Sequence, residues 1–265
     1  MANTSSMSRR EVLRQQQERE EETAKRNRRI LFAALTAVAL VVVAIGAVVI
    51  VQALGDKQAS SANQQTPPNA TERGGFMINS QGAEPAGDIP HLIVYEDYQC
   101  PACASREAAF GAATLELIDK GDITVEIRTA FFLDNMLRND SSERAAMAAA
   151  AADAVGKYRE YHAVIYKNQP TQEGVGYTDQ QLRVDFPTQA GITGEDLTKF
   201  QELYDSGAFR DFVKVGDTTF RDEGITGTPT YMVGSTKLEF ATAQGDILIQ
   251  PMAKDLLRAI TEANK

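Results

Sequence analysis

Leu92-Ile93-Val94-Tyr95-Glu96-Asp97-Tyr98-Gln99-Cys100-Pro101-Ala102-Cys103 holds both cysteines of this 265-residue chain, three positions apart. The apolar run 92–95 reads as a short buried strand, and residues 104–120 read as a helix. A strand that delivers Cys-x-x-Cys to a helix N-terminus makes a reactive dithiol. Unpaired N–H groups of the first turn and the helix dipole stabilise a thiolate there, and the second cysteine can donate to it. Cys100 is therefore expected at the helix start, partly exposed, as the sulfur that attacks or is attacked. Cys103, one turn further in, is expected to be more buried and to resolve the mixed disulfide. Pro101 and Ala102 between them tune how well the reduced thiolate is held.

Upstream, residues 30–51 contain only Thr36 and Gly46 outside the strongly apolar set, and no charge. As a helix they would span roughly 33 Å, enough for a bilayer core. Lys25-Arg26-Asn27-Arg28-Arg29 stands before them and a nearly neutral stretch follows, so the positive-inside rule puts the N-terminus in the cytoplasm and the rest outside. Val51-Gln52-Ala53 would pass as a signal-peptide cleavage site, but the apolar run exceeds the ~7–15 residues usual for one. The reading is an uncleaved, single-pass anchor in the cell membrane. Residues 1–29 form a basic cytoplasmic tail, and residues 52–74, rich in Gln, Ser, Ala, Asn, Pro and Gly, form a flexible linker.

Residues 75–265 are large enough for one domain with a filled core. The chain carries a net charge of −9; residues 1–29 carry +3, so the remainder carries −12. An acidic ectodomain argues against a nucleic-acid partner. In an oxidising compartment, confining cysteine to one pair is suggestive of a redox role.

The domain reads as α/β. Residues 76–78, 92–96 and 123–131 are strands, the last two joined by the Cys-headed helix in a βαβ unit with parallel pairing. A long alanine-rich helix follows over 141–168, with Ala148, Ala152, Val155, Tyr158, His162 and Ile165 on one stripe. Helices at 178–189, 194–204 and 208–223 come next, then a strand pair at 230–233 and 238–241 around Gly234-Ser235-Thr236-Lys237, and a last helix from Pro251 to about residue 263. His162 reads as a satisfied core residue and His91 as exposed. A zinc site from Cys100, Cys103, His91 and His162 has the right ligand count. The histidines are not spaced as a pair, however, and Pro101 is typical of redox dithiols, so no metal is expected.

This layout resembles the thioredoxin fold, and the helical block at about 141–207 resembles the insertion of its DsbA branch. The resemblance covers residues 75–265. It rests on Asp97-Tyr98-Gln99-Cys100-Pro101-Ala102-Cys103, on Tyr158-Arg159-Glu160-Tyr161-His162, and on Gly224-Ile225-Thr226-Gly227-Thr228-Pro229. The tethered form resembles DsbA-type oxidases of Gram-positive, especially actinobacterial, envelopes. It implies a thioredoxin-like fold with an inserted helical domain behind one transmembrane helix, acting as a monomer with no cofactor beyond the Cys100–Cys103 disulfide. It implies donation of that disulfide to exported proteins with reduced cysteines, and reoxidation by a membrane enzyme of the VKOR or DsbB type. An isomerase or reductase of the same fold, and a tethered non-catalytic binding module, are the alternatives.

Two departures from the family pattern matter. Strongly oxidising DsbA proteins have His where this chain has Ala102, so a potential between ~−120 and ~−270 mV is expected. Their buried acid, six residues before the first cysteine, is replaced by Val94. Glu96 lies on the same strand face and either takes over proton transfer to Cys103 or ends the strand in solvent. Thr228-Pro229 resembles the cis-proline loop that faces the dithiol, where the Thr228 backbone would pair with an extended substrate segment.

Overall fold

The apolar run before the cysteines forms strand β2 (His91–Glu96), the middle strand of a five-stranded sheet. The computed structural model describes residues 63–78 and 89–265. In chain order the remaining strands are β1 (Gly75–Ile78), β3 (Thr124–Thr129), β4 (Thr230–Val233) and β5 (Thr236–Lys237). The sheet order is β1-β3-β2-β4-β5. β2 and β3 pair in parallel, with Val94 opposite Ile127 and Glu96 opposite Thr129, and all other pairs are antiparallel.

Helix α1 (Pro101–Lys120) is the crossover between the parallel strands. Proline in its first turn presets the helical φ, and Gly121 ends it in the left-handed region. Its buried side chains Cys103, Phe110, Leu117 and Ile118 belong to one core cluster with Leu92, Val94, Val125 and Ile127 of the sheet.

The helical block runs from α2 (Phe132–Leu137) through α3 (Ser141–Asp153), α4 (Tyr158–Lys167), a π-helical turn (Gln181–Asp185) with α5 (Phe186–Gln189), and α6 (Gly194–Asp205). Helix α7 (Arg210–Asp222) returns to the sheet and α8 (Ala253–Ala263) packs on α1. The single helix expected over 141–168 is two. Gly156 adopts φ +70°, and the Lys157 N–H turns back to the Ala152 carbonyl at 2.8 Å, which closes α3 and redirects the chain. The eight residues 145–152, seven alanines and Met147, are all buried, so α3 is the spine against which α4, α6 and α7 pack. A short helix that the sequence did not announce, α2, precedes it.

Two further boundaries are corrected. The strand expected at 238–241 is not there: the two-residue β5 falls at Thr236–Lys237, in the expected turn, and beyond it the Leu238 N–H bonds the Tyr231 carbonyl at 2.9 Å. Phe240 is anchored there by Phe110 and Tyr231, each at 4.9 Å between ring centroids. The linker expected to run free to residue 74 is docked from Gln64 onward. Gln65 N–H donates to the Ala208 carbonyl at 2.7 Å, and Asn69 donates to both carboxylate oxygens of buried Asp153 at 2.9 and 2.8 Å. Thr71 Oγ1 donates to Glu126 at 2.6 Å. Gly74 lies so close to α7 that a Cβ would stand 2.2 Å from the Gly216 nitrogen. The expected tail at 1–29, the anchor at 30–51 and the linker up to residue 62 lie outside the described residues. Among the described residues, no helix is long and apolar enough to cross a membrane.

Candidate active site

The end of β2 turns into α1 through Asp97-Tyr98-Gln99, and polar groups from the helical block hold that turn from both sides. The Asp97 carboxylate accepts from Gln99 N–H (2.9 Å), from Ser142 Oγ (2.6 Å) and from Leu133 N–H (3.3 Å). Gln99 Nε2 reaches Asp134, Asn139 and Ser142 at 2.7–2.9 Å. Opposite, Tyr177 Oη and Gln169 Nε2 donate to the Tyr98 carbonyl at 2.7 and 2.8 Å. The insertion therefore fixes the backbone that presents the dithiol. Sequence reasoning assigned no such role to Gln169 or Tyr177. The Asp97-x-Gln99 spacing before a helix is the one local signal, because a side-chain carboxylate closes a turn two residues on.

Cys100 is the N-cap of α1, with Pro101 and Ala102 exposed beside it, and both cysteines are thiols. Cys100 keeps 8% of its surface, less than expected, and Cys103 keeps 3%. The two thiols differ sharply. The hydrogen bond from Cys103 pulls Cys100 down to about 6; burial opposes it, and Thr228 and the N–H groups of Cys103 and Ala102 add to it. Burial pushes Cys103 well up, and the Cys100 sulfur beside it adds to the rise.

Thr228 and Pro229 face the pair across a cis peptide bond. The Cys100 thiol donates to the Thr228 carbonyl at 3.3 Å. The buried Thr228 hydroxyl has no other hydrogen-bond partner among the described residues, so it is free to donate once the sulfur ionises.

Glu96 does not end in solvent. It is 4% exposed, and His162 Nε2 lies 2.8 Å from its Oε1. Burial raises the Glu96 carboxyl against the pull of His162, while Glu96 outweighs burial at His162 and lifts it to about 9. His162, expected as a satisfied core residue, is satisfied by this acid. His91 bonds Thr124 Oγ1 at 2.9 Å, at the opposite end of β2 from the cysteines. The four residues weighed for zinc are thus not brought together, and no other metal-ligating cluster occurs among the described residues.

The profile of the thioredoxin family matches residues 80–247. No curated protein matches the sequence. Among solved structures, the thiol-disulfide oxidoreductase MdbA of Actinomyces oris is similar, with a TM-score of 0.57 at 19% identity over 77% of this chain and 97% of that one. MdbA of Corynebacterium diphtheriae gives 0.55 at 23% identity, over 69% and 93%. Oxidized DsbA of Mycobacterium tuberculosis gives 0.54 at 23%, over 72% and 92%. With a family match over more than half its length and a Cys-x-x-Cys placed as described, the chain belongs to the thioredoxin family, in the architecture of the thiol-disulfide oxidoreductases it resembles.

Proposed function

We propose that this protein is an extracytoplasmic thiol:disulfide oxidoreductase that donates its Cys100–Cys103 disulfide to exported proteins. The observation that carries the reading is the opposition between the two thiols. Cys100 is held near 6 and is the more accessible; Cys103 is buried and held protonated. A substrate thiolate attacks Cys100 of the oxidised pair, forming a mixed disulfide while Cys103 leaves with the electron pair. A second substrate thiolate then attacks the substrate sulfur and releases Cys100 as a thiolate. Two electrons pass to the enzyme. A stabilised thiolate is a good leaving group and favours the reduced enzyme, which is the property of an oxidant.

The Thr228 main chain, which already receives the Cys100 thiol, is the natural partner for an extended substrate segment. The basic tail and apolar run at 1–51 support a single-pass anchor with the N-terminus in the cytoplasm and the catalytic domain outside. A membrane enzyme of the VKOR or DsbB type would restore the disulfide of the monomer. Replacing Cys103 with Ser removes the resolving sulfur, so Cys103→Ser protein is expected to accumulate dithiothreitol-sensitive adducts through Cys100 in cells. A Cys103→Ser protein free of such adducts would overturn the proposal.

A further inference from the structure

Cys103 is buried, yet each turnover must remove a proton from it or return one. Val94 occupies the strand position from which the family's acid would serve, and it is an apolar, buried residue. Glu96 is the last residue of β2, two positions nearer the dithiol, and after burial and Cys100 its carboxylate adds to the rise of the Cys103 thiol. Glu96 is itself 4% exposed and needs a route to water.

His162 supplies one. Its Nε2 faces Glu96 Oε1 at 2.8 Å, and its other nitrogen, Nδ1, faces Glu107 Oε1 at 4.0 Å. Glu107 sits one turn after Cys103 on α1, and its side chain is 26% exposed. A cavity of about 40 Å³ is lined by both His162 and Glu107, with Gly111, Thr114, Ile118 and Arg159. That volume admits one water, which can span the 4.0 Å step. Gly111 makes the arrangement fit: a Cβ there would stand 2.3 Å from Glu107 Oε1.

We infer that Glu96, His162 and Glu107 form a proton relay that connects the Cys103 thiol to solvent. The inference rests on the oxidoreductase reading above. When the enzyme is reoxidised, Cys100 is joined to the oxidant's sulfur. The Cys103 proton passes to Glu96, and the Cys103 sulfur attacks Cys100. The Cys100–oxidant bond breaks, and the oxidant's sulfur leaves as a thiolate with the electron pair. His162 releases its Nδ1 proton toward Glu107 and water, so one proton leaves per resolving step. When the disulfide is donated, Cys103 departs as a thiolate, takes the proton from Glu96, and the imidazole is reprotonated through Glu107. Around the imidazole stand Tyr98, Tyr158 and Tyr166, with ring centroids at 5.0–6.0 Å, and Arg159 lines the same cavity. Burial pushes all three phenols well above their ordinary value, so they stay neutral while the relay works.

The test mixes reduced full-length protein in detergent with oxidised glutathione, quenches in acid and weighs the products by mass spectrometry. Mixed-disulfide formation scales with glutathione concentration, whereas resolution by Cys103 does not, so the two steps separate. Glu107→Gln is expected to slow resolution about tenfold at pH 7, a modest share of what acid–base assistance supplies. It should flatten the pH profile of that step and leave the bimolecular step unchanged, and acetate buffer should restore much of the lost rate. Gly111→Ala, which keeps the carboxylate but displaces it, should slow resolution about threefold, and it carries the test if the first variant fails to fold. Wild-type resolution rates in the variant across pH 5–9 would overturn the relay alone. A wild-type protein that forms no mixed disulfide would overturn the oxidoreductase reading and the relay with it.

Discussion

Acidification from pH 7 to pH 5 should erase the stability that the Cys100 thiolate contributes to the reduced protein. Folding holds Cys100 at about 6, chiefly through the Cys103 hydrogen bond, against ~8.5 for an unfolded cysteine. A depressed folded value means the contribution is full above the unfolded value and is lost as pH falls through the folded one. The two values give about 1.4 kcal/mol at pH 7 and ~0.1 kcal/mol at pH 5. For a folded domain of this size the difference moves a melting temperature by roughly 3–5 °C. The disulfide form carries no such charge and serves as the internal reference. Calorimetric melts of both redox forms at the two pH values should therefore show the gap between reduced and oxidised protein narrowing by that amount at pH 5. A gap that does not change with pH would refute the stabilised thiolate.

Three more outcomes follow from the same structure. The Thr228 hydroxyl is buried without a hydrogen-bond partner among the described residues, and Thr228 helps hold the Cys100 thiol down, so Thr228→Val should raise the thiol pKa and reduce the thiolate absorbance at 240 nm at neutral pH, with little change in folding. Burial pushes Asp97 up to about 7; its neutral form is favoured by folding, so that contribution is present below ~4 and is lost as pH rises through 7. Asp97→Asn should remove this slope from urea midpoints measured between pH 5 and 8. Truncation to residue 74, compared with truncation to residue 63, strips Asp153 of both Asn69 hydrogen bonds and should cost about 2–3 kcal/mol in denaturant titration.

The dithiol could be read in advance because its determinants are local: a β-rich run, two cysteines, a proline and a helix, all within thirty residues. The pairing of Glu96 with His162 could not, because 66 positions separate them and the packing of α4 against α1 brings them together. Periodicity carried the alanine stripe straight through Gly156, since a single residue at positive φ redirects a helix without disturbing its apolar spacing. The linker misled for a different reason. Its polar composition resembles disorder, but Gln64, Asn69 and Thr71 spend their side chains on buried acceptors of the domain. Such docking leaves no hydrophobic trace. The membrane anchor and its orientation stand on composition and flanking charge alone.

The reduction potential of the Cys100–Cys103 couple, equilibrated against glutathione, decides whether the dithiol donates or accepts disulfides. A Cys100 pKa of about 6 lies between ~7 for thioredoxin and ~3.5 for DsbA. The expected potential lies between their ~−270 and ~−120 mV, on the oxidising side of ~−230 mV. A value at or below ~−270 mV would make the protein a reductant and contradict its assignment as a disulfide donor.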